Sequence, residues 1–157
     1  MIVEHSQDNI VIDIPDNLTK IGMKLSGGAD SAIVLYMLCK YIIETGKDCQ
    51  IIPITVNYAG KAFQTQFSAK VLDFMKDNFS IRIGKHYTDL NYEFDTYSKT
   101  QEDLLNKLYE DKIIDCQFSG ITANPPKEVM EMFNTRGPMD ARDREKDKKS
   151  QSPHHNV

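Results

Sequence analysis

The residues whose types and spacing could do chemistry form one short segment: Ser26, Gly27, Gly28, Ala29, Asp30 and Ser31. Two consecutive glycines can adopt backbone angles that other residues avoid, so their N–H groups can converge on one oxyanion. The hydroxyl groups of Ser26 and Ser31 add further hydrogen-bond donors to the same turn. The segment therefore predicts a loop that cradles a phosphate group.

The carboxylate of Asp30 would repel phosphate oxygens unless a cation lay between them. Magnesium is the hard cation that binds carboxylate and phosphate oxygens together, so we expect Asp30 to be a magnesium ligand. The spacing is neither that of the G-x-x-x-x-G-K-[ST] loop nor that of the G-x-G-x-x-G dinucleotide fingerprint. The structural alternative is a Gly-Gly turn in which Ser or Asp caps a helix.

The loop must be positioned by the elements on either side of it. Lys20–Leu25 is extended, and Ala32–Thr45 is an apolar helical run with Gly46 as its stop signal. A helix that begins at the loop directs its positive dipole end toward a bound anion. We expect a strand–loop–helix unit in which the helix is buried on nearly every face.

Strands and helices alternate along the rest of the chain. The predicted elements are a strand at Gln50–Tyr58, a helix ending near Asn78, a strand at Ile81–Tyr87, a helix marked by Leu104, Leu105, Leu108 and Ile113, and a strand at Cys116–Ile121. The stripe predicted to be buried on the second helix consists of Phe63, Phe67, Val71 and Phe74 or Met75.

This order of elements predicts the fold class. Right-handed crossovers give an α/β, three-layer sandwich with an open, mostly parallel sheet between helices. A leading β-hairpin is predicted from Asn9–Ile14 and Lys20–Leu25, with a turn signal at Pro15.

Length and composition limit the classes of protein. The chain has 157 residues, 40% of them apolar and 27% charged, which is typical of one globular domain. We expect an ordered domain over residues 1–134 and a flexible, polar segment over 135–157. The net charge of −4 provides no global positive field for nucleic acid, and the apolar runs are too short to span a membrane.

The three cysteines do not indicate a disulfide-bonded or zinc-binding protein. Cys39, Cys49 and Cys116 are an odd number without C-x-x-C spacing, which argues against a disulfide framework and a zinc ribbon. We interpret them as inert thiols in a reducing, cytoplasmic protein. The N-terminus has no basic, apolar secretory signal, which favours the same compartment.

The S-G-G-A-D-S segment resembles the S-G-G-x-D-S signature of the PP-loop, or N-type ATP pyrophosphatase, superfamily, which is adenine nucleotide alpha hydrolase-like. The resemblance covers roughly residues 20–126. It implies a HUP-like sheet in the order 3-2-1-4-5, with the first and fourth parallel strands side by side where ligands bind. It also implies ATP and Mg²⁺ as cofactors and an ATP pyrophosphatase-type ligase or synthase as the enzyme.

Two further segments are similar to 7-cyano-7-deazaguanine synthases, namely Ile54–Lys61 and Gly120–Asn124. The similarity implies that Val56 and Tyr58 line the adenine pocket and that Gly120 and Thr122 lie along the sugar and α-phosphate. Asn57 and Asn124 stand where those enzymes have aspartates. The four zinc-binding cysteines of those enzymes have no counterpart after Cys116.

Catalytic candidates are chosen from the charges that the expected reaction must position and neutralise. Asp30 and Ser31 are the catalytic candidates in the loop. Lys61 and Arg136 are the candidate contacts to the departing pyrophosphate, whose charge must be neutralised.

The expected function is an adenylating enzyme that cleaves ATP to AMP and pyrophosphate. A carboxylate or amide oxygen of a small-molecule substrate, in the first branch a modified purine or its precursor, is activated for attack by ammonia, an amine or sulfur. The alternatives are a tRNA-modifying or amide-forming PP-loop ligase, for which tRNA is the partner, and a non-catalytic ATP- or AMP-binding module. An interaction protein with a vestigial loop and a homodimer also remain open.

Overall fold

The computed structural model describes residues 2–3, 10–61, 63–91 and 96–120. In chain order the elements are β1 (Ile2–Val3), β2 (Ile10–Val11), β3 (Lys20–Lys24), α1 (Ala29–Thr45), β4 (Gln50–Tyr58), a 3-10 turn (Ala59–Lys61), α2 (Gln64–Asn78), β5 (Arg82–Ile83), β6 (Tyr87–Asn91), α3 (Tyr97–Glu110) and β7 (Cys116–Ser119). The predicted alternation of strands and helices is confirmed over these residues. The predicted boundary at residue 134 and the segment 135–157 lie outside them.

Strand β3 is the centre of the main sheet. It pairs in parallel with β4 on one side and with β7 on the other. On its far edge β4 pairs in parallel with β5 and β6. The third, second, first and fourth parallel segments therefore lie in that spatial order, which confirms the predicted order 3-2-1-4 for the described strands. The carboxyl ends of β3 and β7, where the order reverses, are adjacent.

The leading antiparallel pair lies earlier in the chain than its sequence pattern indicated. It consists of β1 and β2, with Ile2 opposite Val11. Lys20–Lys24 does not join this pair, because both of its edges are occupied by parallel partners. The strand predicted at Ile81–Tyr87 is divided into β5 and β6 by the short segment 84–86.

Helices cover both faces of the sheet and create two apolar clusters. On one face α1 and α2 pack Leu35, Leu38, Leu72 and Met75 against Ile21, Met23 and Ile51. On the other face α3 packs Leu105 and Leu108 against Ile52 and Ile54. Each fully buried side chain of this size stabilises the fold by about 1.5–3 kcal/mol. The three predicted layers are thus present.

The predicted faces of the first two helices are partly wrong. Of the predicted stripe, Met75 is buried and Val71 packs against the core, whereas Phe63, Phe67 and Phe74 are 49%, 45% and 55% exposed. Helix α2 also buries Ser68 and Leu72, which were not predicted. The small side chain of Ser68 lets α2 approach β4, which a phenylalanine at that position would prevent. Helix α1 also has an exposed apolar side, formed by Ile33, Tyr36 and Ile43. The prediction that α1 is buried on nearly every face is therefore wrong.

The exposed sides of α1 and α2 border an apolar groove of about 470 Å³, lined by Ala29, Ala32, Ile33, Tyr36, Lys70, Val71, Phe74 and Met75. Among the described helices, none is both long and apolar enough to cross a membrane.

Candidate functional site

The glycine-rich loop joins β3 to α1 and lies against α2. Gly27 has φ +77°, in the left-handed region that favours glycine. A Cβ atom there would also lie 2.4 Å from Phe67 Cβ and 2.9 Å from the Ser68 backbone nitrogen. Gly28 is extended, with φ −89° and ψ 168°, and α1 begins at the next residue. Both the backbone angle and the neighbouring helix therefore require glycine at position 27.

The two serines of the loop hold its backbone together. The Gly28 N–H donates to Ser26 Oγ at 3.3 Å, and the Ser26 N–H donates to Ser31 Oγ at 3.3 Å. Ser31 Oγ donates its proton to the Gly28 carbonyl at 3.1 Å. Since that proton is committed, Ser26 must be the donor in the 3.3 Å contact between the two hydroxyls. Ser31 is only 4% exposed and Ser26 is exposed, so Ser26 is the serine that faces solvent.

The first turn of α1 presents Ala29 and Asp30 to solvent. The N–H groups of a first turn have no partner in a preceding turn, and an acidic residue there interacts favourably with the helix dipole. Over the described ranges, no three His, Cys, Asp or Glu side chains converge to hold a metal ion. Magnesium bound to a nucleotide needs only one or two carboxylates, so the chemistry of Asp30 fits it, and the assignment stays a prediction.

The end of β7 meets the loop, as the strand order predicted. Gly120 directly follows β7 and contacts the backbone of Asp30 and Ser31. The structure thus brings Gly120 together with the candidate phosphate loop. Thr122, Asn124 and Arg136 lie outside the described residues, so their predicted roles are not addressed.

The end of β4 contains the two residues predicted for the adenine pocket. Val56 is 4% exposed, and its carbonyl accepts a hydrogen bond from Tyr97 Oη at 3.0 Å. Tyr58 is half-buried, and its ring packs over the backbone of Gly60. Lys61 is the last residue of the 3-10 turn that follows. The nucleotide contacts of these three residues stay predictions.

Asn57 has a structural role that sequence reasoning missed. Its Oδ1 accepts a hydrogen bond from the Thr65 N–H at 2.9 Å, and its Nδ2 donates to Thr65 Oγ1. Because Thr65 lies in the first turn of α2, Asn57 caps that helix from the neighbouring strand. Asn is a common capping residue, but the link spans two elements and has no local sequence signal.

A buried polar network beneath the loop was also missed. Thr55 is 1% exposed, and its Oγ1 lies 2.8 Å from the Leu25 carbonyl, 3.2 Å from Ser68 Oγ and 2.8 Å from His86 Nε2. Burial and the charge of Lys76 lower the pKa of His86. One signal was available: Thr55 is a polar residue within the apolar run 51–56, and a buried hydroxyl nearly always has a hydrogen-bond partner.

Lys24 is a partly buried cation close to the loop. Burial lowers the pKa of its ammonium group. In the sheet it stands between Ile54 and Ser119, on the face that α3 covers. Its ammonium makes no hydrogen bond or ion pair with another residue of the described ranges. Sequence reasoning did not select Lys24, because a lysine at the end of a strand is usually solvated surface.

No protein-family model matches the chain. A probable sulfurtransferase of Methanocaldococcus jannaschii is 32% identical over 110 residues, which cover 69% of this chain and 31% of the relative. The chain therefore spans about a third of the length of this curated relative.

A solved structure shares the fold of the described residues. The U34-tRNA thiolase NcsA from Methanococcus maripaludis, described with its [4Fe-4S] cluster, aligns with a TM-score of 0.51 at 17% identity, covering 78% of this chain and 44% of the thiolase. A universal stress protein in complex with cAMP aligns with a TM-score of 0.46 at 13% identity, covering 64% of this chain and 70% of that protein. The described residues thus have an open, mostly parallel α/β fold, which the thiolase shares.

Proposed function

We propose that this chain carries the ATP-binding site of an enzyme that activates an oxygen atom of its acceptor as an adenylate. The observation that supports this most is the S-G-G-A-D-S loop at a strand–helix junction, with Gly27 in the left-handed region and Gly120 packed against the helix start. Residues without side chains let a phosphate approach the backbone N–H groups closely, and the helix dipole favours its charge.

The proposed reaction has two steps. An oxygen of the acceptor attacks the α-phosphorus of ATP, the bond to the β-phosphate oxygen breaks, and pyrophosphate leaves. A nucleophile then attacks the activated carbon, and AMP departs with the former acceptor oxygen. The loop would position the phosphates and stabilise the charge on the leaving group, so no protein nucleophile is needed. Magnesium held by Asp30 would neutralise charge between the carboxylate and the phosphates.

Within this class we propose sulfur transfer, with a hydrosulfide-type sulfur as the nucleophile and a carbonyl carbon of a tRNA base as its target. The support is that the sequence relative is named a probable sulfurtransferase and the structural neighbour a U34-tRNA thiolase. Neither name refers to a 7-deazaguanine enzyme, so we favour this alternative over the deazaguanine branch. With a net charge of −4, this chain would contact tRNA only through local cationic groups.

The iron–sulfur cluster of the thiolase is not part of this proposal. A [4Fe-4S] cluster is held by cysteine thiolates. The cysteines of this chain number three, all of them buried, and the described residues contain no group of three or more potential ligands. Burial raises the pKa of the Cys39 and Cys116 thiols to about 12, so thiolates are disfavoured there.

A non-catalytic ATP- or AMP-binding module is the second candidate. Asn57 favours it, because an amide engaged with Thr65 supplies no carboxylate at the end of β4 for a second metal ion. Both candidates bind ATP, but only the enzyme converts it to AMP and pyrophosphate.

Product analysis separates these candidates. The 157-residue chain is incubated with ATP, Mg²⁺, sulfide and unmodified tRNA, and AMP, pyrophosphate and thiolated base are quantified. If the chain is an adenylating enzyme, wild type should form AMP and pyrophosphate in equal amounts. The Asp30→Ala variant should form neither. ATP binding without AMP formation would support the module, and no binding at millimolar ATP would contradict both.

A further inference from the structure

A series of hydrogen bonds connects His86 with the beginning of the loop. His86 lies between β5 and β6, and its Nε2 is 2.8 Å from Thr55 Oγ1. Thr55 Oγ1 is in turn 2.8 Å from the carbonyl oxygen of Leu25, the residue before Ser26. Thr55 and Leu25 are 1% and 3% exposed, so water does not compete for the bond between them.

Counting protons fixes the direction of each bond. A carbonyl oxygen can only accept, whereas Ser68 Oγ and a ring nitrogen of His86 can also donate, so giving the single hydroxyl proton of Thr55 to Leu25 keeps that carbonyl satisfied. The neighbouring Ser68 hydroxyl donates its own proton to the Thr65 carbonyl at 3.0 Å. With these two protons assigned in this way, the donor for the Thr55 oxygen would be His86, and its imidazole would carry a proton on Nε2. The other neutral tautomer would take the Thr55 proton and leave the buried Leu25 carbonyl without this donor.

The bond to Leu25 also orients Ser26. The Leu25 carbonyl and the Ser26 N–H belong to one planar trans peptide, so they point in opposite directions. With the carbonyl held by Thr55, the N–H points toward Ser31 Oγ, 3.3 Å away. Ser31 Oγ in turn donates to the carbonyl of Gly28. The orientation of the Leu25–Ser26 peptide is therefore linked through Ser31 to that of the Gly28 carbonyl.

We propose that His86 is a positioning residue for the loop. Acting through Thr55, it fixes the plane of the Leu25–Ser26 peptide and thereby the arrangement of N–H groups that the loop offers to a phosphate. The phosphate part of this inference rests on the proposed function, whereas the positioning of the peptide does not. No contact between His86 and a ligand is required.

Two matched pairs of variants in the 157-residue chain test the proposal. His86→Leu removes the donor, whereas His86→Gln places an amide N–H near the Nε2 position. Thr55→Val removes the hydroxyl, whereas Thr55→Ser keeps it. We expect hydrogen exchange of the Ser26 amide to be about tenfold faster, and ATP binding about tenfold weaker, in the Leu and Val variants. The Gln and Ser variants should restore both quantities to within about threefold of wild type.

A spectroscopic measurement on the wild type keeps the test independent of how the variants fold. Nitrogen-15 NMR of the His86 imidazole should show the Nε2-protonated tautomer. An Nδ1-protonated imidazole, or unchanged Ser26 exchange in a folded His86→Leu variant, would overturn the proposal. If the tautomer and the exchange rates are as expected but the wild type does not bind ATP, the proposed function fails and the positioning role stands.

Discussion

A Cβ atom at Gly120 would lie 2.4 Å from the carbonyl carbon of Asp30. Side chains do not approach backbone atoms this closely, so the chain leaves β7 directly against the first turn of α1. The contact holds the end of the fourth parallel strand beside the glycine-rich loop, where the strand order reverses.

Replacing Gly120 by Ala should move the start of α1 away from β7. We expect a loss of about 1–3 kcal/mol in the free energy of unfolding, as for other overpacked sites, and about tenfold weaker ATP binding. Urea denaturation and calorimetry measure the two effects. The control is Gly84→Ala, whose Cβ would meet side-chain atoms of Ile52 and Gln50. Unchanged ATP affinity in folded Gly120→Ala would show that this contact does not position the loop.

Gly27 and Gly46 allow backbone strain to be separated from steric contact. Both have positive φ, +77° and +66°, but a Cβ atom at Gly46 would meet no atom of the described residues within 4 Å. Each change to Ala should cost about 1–2 kcal/mol of strain. Gly27→Ala should cost about 1–3 kcal/mol more, because its Cβ meets α2. Urea denaturation of the two variants under identical conditions measures the difference in their free energies of unfolding. Equal losses would show that contact with α2 adds nothing to the cost of a side chain at position 27.

The loop and the alternation of strands and helices could be predicted because their signals are local, whereas the strand order was implied by the resemblance to PP-loop proteins. Two glycines between an extended run and an apolar helical run indicate a strand–loop–helix unit whatever lies elsewhere in the chain. Gly46 marked the end of α1 in the same way, and the β-branched run Gln50–Tyr58 gave the bounds of β4. Right-handed crossovers then favoured a parallel sheet.

The supporting residues could not be predicted, because their partners are distant in sequence. Thr55 and His86 are 31 residues apart, and their contact depends on the break between β5 and β6. On α2 the most apolar stripe contains Phe63 and Phe67, whereas the packed face contains Ser68. Periodicity identifies the most apolar face of a helix. The face that packs is decided by close contacts with other elements, here those of Ser68 with Gly27 and with Thr55 of β4.

Asp30→Asn should weaken ATP binding in the presence of magnesium and not in its absence. If Asp30 binds the metal, Mg·ATP should bind about tenfold more weakly to the variant. In excess EDTA the variant should bind free ATP at least as tightly as wild type, because a negative charge beside the phosphates has been removed. Calorimetry with AMP, which lacks the β- and γ-phosphates, is the control. Equal losses with and without Mg²⁺ would indicate that Asp30 acts on the loop itself and not through a metal.

The cysteines should react slowly in the native protein. Burial raises the pKa of Cys39 and Cys116 to about 12 and also raises that of Cys49, whose Sγ lies 3.4 Å from the Leu18 carbonyl. At pH 8 the thiolate fraction of Cys39 and Cys116 should be about a thousandfold below that of an unfolded chain. Iodoacetamide labelling, with and without denaturant and followed by peptide mapping, measures this. Rapid native labelling of any of these thiols would contradict its interpretation as an inert, buried residue.

Titration of His86 should make the fold less stable in mild acid. Burial and Lys76 lower the pKa of His86 in the native state, whereas in the unfolded chain it titrates near its ordinary value of about 6.5. As pH falls through that value, the unfolded state takes up a proton that the native state does not, so the free energy of unfolding decreases until the native pKa is passed.

The comparison of wild type with His86→Gln isolates this titration, because the other ionisable groups are common to both chains. From about pH 7.5 to about pH 5.5, the unfolding free energy of wild type should fall more steeply than that of the variant, since glutamine does not titrate. The partial exposure of His86 reduces the effect through solvent screening. Urea denaturation at several pH values measures both curves. Parallel curves would mean that His86 has the same pKa in the folded and unfolded states, and that burial beside Thr55 does not disfavour the imidazolium.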